Sequence, residues 1–251
     1  HAVSERWPEP LSVTPERLEG QIRSLLRHGY RPATFTQAVV APPAARTFAV
    51  TFDDAYRSVV SLALPILSAL GLPGTVFACT DFVGSEAPMT VGLDRWIGSP
   101  HEPELVSMSW GELALLAGAG WEVGSHTRSH PRLTRLDDAS LEAELSGSKQ
   151  RCEDRLGGPC TALAYPHGDF DSRVVTATGE AGYLTAATTF AGRLDAPPRL
   201  QWPRINVARD DGGWRFRLKV SRTMRRVRSL RGWETVDRLR GVEPAARPGR
   251  N

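Results

Sequence analysis

The segment Ala49-Val50-Thr51-Phe52-Asp53-Asp54 places two adjacent carboxylates directly after an apolar run. Valine, threonine and phenylalanine favour strands, so the run predicts a strand that ends at the aspartates. Neighbouring carboxylates repel each other, and burying one costs free energy unless a cation or hydrogen bonds compensate it. The pair is therefore either a solvated helix cap or part of a cation site, and the rest of the chain has to distinguish the two.

Strand and helix patterns alternate on both sides of this segment. Strands are predicted at 47–52, 75–79, 121–125, 161–165, 183–188 and 201–207. Helices are predicted from the caps Thr14, Ser109, Asp138 and Asp171, and over 56–70 with a kink at Pro65. Such alternation is typical of a parallel sheet with crossover helices. With six or more βα units and no G-x-G-x-x-G motif, an α/β barrel is favoured over an open dinucleotide-binding sheet.

Charge divides the chain into two parts. Residues 214–251 contain 12 basic and 3 acidic side chains, whereas the remainder contains 19 basic and 25 acidic ones. The sequence therefore predicts a domain over 1–213 and an Arg-rich tail over 214–251, helical around 217–230 and 234–239 or partly disordered. The tail contains no recognisable nucleic-acid-binding motif, so it does not predict nucleic-acid binding. Its apolar spacing suits peripheral contact with an acidic membrane, with a solvated tail as the alternative.

Polar residues collect where three predicted strands end. Asp53-Asp54, Ser125-His126-Thr127-Arg128-Ser129-His130 and Tyr165-Pro166-His167-Gly168-Asp169 each follow such a strand. In α/β barrels the carboxyl ends of the strands face one mouth, so we expect these clusters to meet. Taken singly, each has an ordinary explanation as a helix cap, a pair of surface histidines or a turn.

One carboxylate and two imidazoles at such a mouth suit a catalytic divalent ion. His126, His130 and one carboxylate of the pair Asp53-Asp54 are the candidate ligands, and zinc is the preferred ion, with cobalt, nickel or manganese as alternatives. A second carboxylate that does not bind the ion can accept a proton from the attacking water. The three cysteines, Cys79, Cys152 and Cys160, are interpreted as buried apolar thiols.

These motifs resemble those of the polysaccharide deacetylases, carbohydrate esterase family 4. Thr51-Phe52-Asp53-Asp54 matches the first motif, the segment from Ser125 to His130 the second, and Tyr165-Pro166-His167-Gly168 more loosely the third. The resemblance covers roughly 1–209 and implies a distorted (β/α) barrel of about seven parallel strands. It also implies removal of N-acetyl groups from N-acetylglucosamine-containing polymers or glycoconjugates.

The same resemblance assigns roles to individual residues. It implies that Asp53 is the general base, that Asp54 binds the metal with His126 and His130, and that the backbone N–H of His167 helps to hold the oxyanion. Tyr165 and Trp96 are further candidates for contact with the sugar.

The chain lacks two residues of the family pattern, and each needs a substitute. The arginine that usually braces the base is Ala164 here, and Arg204 is the candidate substitute, with a surface arginine as the alternative. The late histidine that protonates the leaving amine is absent. In the poly-N-acetylglucosamine deacetylase branch, which resembles a circularly permuted form, this histidine is N-terminal, so His1 is the candidate general acid here.

Other functions remain open at this stage. They are a non-haem iron oxygenase, a metal-dependent amidohydrolase acting on a non-sugar C–N bond, and a non-catalytic sugar-binding homologue. The sequence leaves the compartment and oligomeric state open, with a cell-envelope or secreted location slightly favoured.

Overall fold

The computed structural model describes residues 1–85, 87–189 and 197–221, which form an α/β fold. The strands are β1 (Ala2–Val3), β2 (Ser12–Val13), β3 (Arg31–Pro32), β4 (Thr47–Phe48), β5 (Thr51–Phe52), β6 (Thr75–Ala78), β7 (Glu122–Ser125), β8 (Ala162–Ala164), β9 (Thr185–Thr188) and β10 (Trp202–Pro203). The helices are α1 (Pro15–Arg27), α2 (Phe35–Val40), α3 (Leu64–Ala69), α4 (Trp110–Gly118), α5 (Asp138–Leu156), α6 (Ser172–Glu180) and α7 (Gly213–Val220).

Strands β5 to β10 form one parallel sheet, in which spatial order follows chain order. The sheet curls into a half-barrel, which confirms the predicted distorted-barrel class. Its described part has six strands, fewer than the seven or so expected. These six correspond to the six strands predicted from the sequence pattern. The predicted strand 47–52 is divided, because β4 pairs with β3 in a separate sheet and only β5 joins the main one.

Capping chemistry explains where most helices begin. Thr14 and Asp171 cap α1 and α6 as predicted, and Ser109 with Glu112 forms a capping box at α4. The cap of α5 is Asp137, one residue before the predicted Asp138, because it is the Asp137 carboxylate that accepts from the backbone N–H of Ser140. Helix α2 was not predicted, although Thr34 and Gln37 form a second capping box.

Side chains along β6 point alternately to the two faces of the sheet. Val76 and Ala78 belong to the core beneath the helices, whereas Phe77 packs edge-on against Phe35 on the opposite face. The neighbouring strand accommodates Phe77 by presenting Gly124, at which an added Cβ would lie 2.7 Å from the phenylalanine ring. This packing fixes the strand ends that carry the polar clusters.

The first part of the basic tail is folded onto the body. In α7, Phe216 is buried, and Lys219 donates to Asp211 at 2.5 Å. Residues 222–251 lie outside the described residues, and with them most of the predicted tail helices, so the division at residue 213 and the membrane contact stay predictions. Among the described residues, no helix combines the length and apolarity needed to cross a bilayer.

Candidate active site

The three polar clusters lie at the carboxyl ends of strands of one sheet. Asp53 and Asp54 follow β5, His126 follows β7, and Tyr165 follows β8. All five non-glycine residues with a left-handed backbone in the described part belong to these loops: Asp54, Ala55, Thr127, His130 and His167. Such conformations are strained for most side chains and concentrate at functional sites. Strand ends and backbone strain therefore identify the same place.

Asp54 stands between the two predicted histidine ligands. Its Oδ1 atom lies 3.6 Å from Nε2 of His126 and 3.7 Å from Nε2 of His130. This oxygen is buried and has no hydrogen-bond partner. A buried, unpaired carboxylate oxygen facing two imidazole nitrogens is what a divalent cation would satisfy, so the residues fit the predicted metal.

Hydrogen bonds orient the first histidine towards Asp54. Nδ1 of His126 lies 2.8 Å from the carbonyl oxygen of Ala164, so this nitrogen carries the proton and Nε2 is left as the free donor atom. Burial lowers the pKa of His126 to about 4 and also lowers that of His130. Both rings are therefore neutral at pH 7, the form that binds a metal.

The loop between these histidines is held by Glu144 of α5. Its carboxylate accepts from the backbone N–H of Arg128 at 2.7 Å, from that of Ser129 at 3.0 Å, and from the Ser129 hydroxyl at 2.6 Å. Sequence reasoning did not identify Glu144, because nothing local relates it to the histidine motif. It positions His130 by fixing the turn that precedes it.

Asp53 is braced by Arg204, the residue proposed to replace the family's missing arginine. Nη1 and Nη2 of Arg204 donate to Oδ1 and Oδ2 of Asp53, each at 2.7 Å. Burial alone would raise the pKa of Asp53, but the Arg204 guanidinium together with His126 and His1 outweighs it, and the pKa falls below its usual range. The alternative of a strand-edge surface arginine is wrong, because the Arg204 side chain is 11% exposed.

His1 contacts the far side of Asp54. Its Nδ1 lies 2.5 Å from Oδ2 of Asp54, while Oδ1 faces the other two histidines. Burial would lower the pKa of His1, but the carboxylates of Asp54 and Asp53 together overcome this and raise the pKa to about 9. The structure thus brings His1 into the site as a protonated imidazolium at neutral pH.

The third motif contributes His167 but not the side chain of Tyr165. The ring of His167 lies 4.5 Å from that of His130, and its backbone is left-handed, with φ at 58°. In contrast, Tyr165 is 1% exposed and its hydroxyl donates to the carbonyl oxygen of Leu200 at 2.9 Å. This corrects the expectation that Tyr165 contacts the sugar, since its ring packs in the core against Phe170.

Trp96 belongs to an aromatic group beside the site. Its indole nitrogen donates to the buried carboxylate of Glu9 at 2.9 Å, and its ring packs edge-on against Trp7. Trp7 in turn packs against Tyr56, which follows the aspartate pair in the chain. Contact of Trp96 with a sugar stays a prediction.

Cys79 is a neighbour of the centre that sequence reasoning interpreted only as a buried apolar thiol. Its Sγ, a carboxylate oxygen of Asp54 and a ring nitrogen of His126 all lie within 4.8 Å of one another. The thiol donates to the carbonyl oxygen of His126, and burial raises its pKa well above its usual value. The sequence could have indicated that Cys79 lies near the site, because it directly follows β6. This strand lies between the strands that carry Asp54 and His126.

The chain is similar in sequence to known proteins. The sequence model of the polysaccharide deacetylase family matches residues 41–186, more than half of the chain. The Bacillus subtilis protein YxkH is 24% identical over 197 residues, which are 76% of this chain and 63% of YxkH. A chitin deacetylase of Pestalotiopsis is 26% identical over 55% of this chain and 39% of its own length.

A solved structure extends the likeness to most of the fold. The crystal structure of BC0361, a polysaccharide deacetylase from Bacillus cereus, superposes with a TM-score of 0.72 at 26% identity, covering 88% of this chain and 67% of that one. The chain spans less than two thirds of the length of the curated relatives it matches. The family model covers both the aspartate pair and the two histidines. This chain belongs to the polysaccharide deacetylase family.

Proposed function

We propose that this chain is a metal-dependent hydrolase that removes N-acetyl groups from an N-acetylglucosamine-containing polysaccharide or glycoconjugate. The observation that carries the proposal is the buried, unpaired Oδ1 of Asp54, which faces Nε2 of His126 and of His130 while Asp53 stands beside it. Family membership supports the reaction class, and the donor set supports one divalent ion.

Asp54, His126 and His130 would hold the ion, with zinc as the ion we propose first and cobalt, nickel or manganese as alternatives. When bound, such an ion polarises a carbonyl and lowers the pKa of a water molecule. The remaining chemistry belongs to the chain's own residues.

Asp53 is the proposed general base. Arg204 keeps its carboxylate ionised, so it can accept a proton from the water that attacks the acetyl carbon. The backbone N–H of His167 is proposed to donate to the oxyanion that forms on the substrate. His1 then donates a proton to the amine as the C–N bond breaks, which yields acetate and a free amino sugar.

The test is acetate release from N-acetylglucosamine oligomers before and after complete removal of metal. We expect activity to disappear with the metal and to return when zinc or cobalt is added. His130→Ala should abolish it, whereas the matched control His28→Ala should not, because His28 is exposed at the end of α1. Full activity of the metal-free protein would contradict the proposal.

A substrate panel separates the remaining alternatives. Chitin oligomers, peptidoglycan fragments and poly-N-acetylglucosamine should release acetate faster than a simple acetamide that carries no sugar. The reverse preference would favour an amidohydrolase of non-sugar substrates. Tight binding of the oligomers with no acetate released would favour a non-catalytic sugar-binding homologue.

A further inference from the structure

The segment that carries His1 has little regular structure of its own. Strand β1 pairs with β2 over only two residues, Ala2 with Ser12 and Val3 with Val13. The imidazole nonetheless reaches Asp54 with a contact of 2.5 Å. Two paired residues do not by themselves fix the backbone of this segment, so other contacts must hold it beyond Val3.

Arg209 supplies several of those contacts, beside the bonds from the Ser4 backbone N–H to the Val13 carbonyl oxygen and from the Ser4 hydroxyl to Glu104. Nη1 of Arg209 donates to the carbonyl oxygen of Ser4 at 3.0 Å and to the Ser12 hydroxyl at 3.1 Å, and its Nη2 donates to the carbonyl oxygen of Glu5 at 2.7 Å. Its own backbone N–H donates to the carbonyl oxygen of Pro10 at 2.9 Å. A guanidinium is planar, permanently charged and rich in donors, which suits it to hold several oxygens in one geometry.

The stretch after β10 therefore reaches two parts of the site. Arg204, at its start, holds Asp53, and Arg209, five residues later, holds the segment that carries His1. Asp211 anchors this stretch, since its carboxylate accepts from the backbone N–H of Ala208 at 2.7 Å and from Lys219 of α7. Its carbonyl oxygen also accepts from Gln21 of α1 at 2.9 Å.

We propose that Arg209 is a positioning residue for the reaction. By holding the carbonyl oxygens of Ser4 and Glu5, it fixes β1 and so directs the His1 imidazole towards Asp54. This inference rests on the proposed function, in which His1 protonates the departing amine. Arg209 does not touch the reacting atoms and acts only through His1.

The test compares an amide with an activated ester as substrate. The amine of an N-acetyl sugar must be protonated to leave, whereas the phenolate of 4-nitrophenyl acetate leaves without a proton. Loss of a general acid typically costs about 10²–10⁴-fold. We therefore expect Arg209→Met to lower amide turnover by roughly 10- to 100-fold and ester turnover by less than about 3-fold. His1→Ala should change the amide-to-ester ratio in the same direction.

Three further variants extend the test. Arg209→Gln keeps an N–H donor but cannot bind both carbonyl oxygens, so it should lower the amide-to-ester ratio. This variant tests the inference if Arg209→Met does not fold. Arg23→Met removes an exposed arginine of α1 that pairs with Glu19, and it should leave the ratio unchanged. The double variant His1→Ala/Arg209→Met should show no lower ratio than His1→Ala alone, because both changes remove the same proton donor.

A second readout does not depend on turnover. In metal-free protein with isotope-labelled histidine rings, the His1 resonance should shift or broaden in Arg209→Gln and remain in place in Arg23→Met. An equal loss of amide and ester turnover in the Arg209 variants, or an unmoved His1 resonance, would overturn the inference. If His1→Ala itself leaves the ratio unchanged, the proposed role of His1 fails instead, and the two failures are thereby distinguished.

Discussion

Both terminal nitrogens of Arg204 bind Asp53, each at 2.7 Å from one carboxylate oxygen, although the two residues are 151 positions apart in the chain. Thr51, two residues before Asp53, accepts a further bond from Nη1 at 3.1 Å. A paired guanidinium and carboxylate of this kind fixes orientation as well as charge. Arg204 therefore fixes both the orientation and the ionisation of Asp53.

The first prediction concerns this pair. Arg204→Met removes the largest of the influences that lower the pKa of Asp53, so the pKa of its carboxyl rises. The base is then protonated at pH values where it is ionised in the wild type. The acid limb of the pH profile of activity should therefore move to higher pH. A pH profile of acetate release measures the shift, and we expect a loss of about 10²-fold or more at pH 7. Arg199→Met, which changes an exposed arginine nearby, is the control; equal profiles for both variants would refute the role of Arg204.

The second prediction distinguishes two ligand sets. His130 presents Nε2 to Asp54, whereas burial keeps the Cys79 thiol protonated and its proton is directed to the His126 carbonyl oxygen. We expect Cys79→Ser to retain one equivalent of zinc and His130→Ala to lose it, as measured by elemental analysis of dialysed protein. The opposite result would assign the metal to Asp54, Cys79 and His126.

The third prediction tests the loop between the two histidines. Glu144→Ala removes three hydrogen bonds to Arg128 and Ser129 and so loosens the turn that positions His130. Losing such a supporting residue typically weakens metal binding by about 10- to 100-fold, which zinc titration calorimetry can measure. Glu142→Ala changes an exposed glutamate of the same helix and should bind zinc normally. Equal affinities in the two variants would show that the loop does not need Glu144.

The fourth prediction concerns packing beneath the site. At Gly124 an added Cβ would lie 2.7 Å from the ring of Phe77 and 2.8 Å from the carbonyl oxygen of Ala162. Gly124→Ala should therefore lower the free energy of unfolding by about 1–3 kcal/mol, measured by denaturant titration. At Gly20 of α1 an added Cβ meets nothing within 4 Å, so Gly20→Ala should stabilise the protein by about 0.5–1 kcal/mol. Similar effects at both positions would contradict this account of the packing.

The sequence alone determined the class of fold and the place of the site. Alternating strands and helices predict parallel strands, and parallel strands bring their carboxyl ends to one edge, so Asp54, His126 and His130 could be expected together before any coordinates existed. Local chemistry also located most helix starts, because a cap depends on residues three apart. There were three exceptions: the α5 cap lay one residue early, the strand 47–52 was divided between two sheets, and helix α2 was not predicted.

Only the tertiary structure decided which distant side chains complete the site. Arg204 and His1 were candidates with equally ordinary alternatives, and their contacts with Asp53 and Asp54 depend on how strands far apart in the chain lie beside each other. Cys79, Glu144 and Arg209 carry no local motif, and the side chain of Tyr165 points into the core although its motif suggested the site. Periodicity and capping report on neighbours within a few residues. Hydrogen bonds between remote segments depend on the folded geometry of the whole domain, which no short pattern encodes.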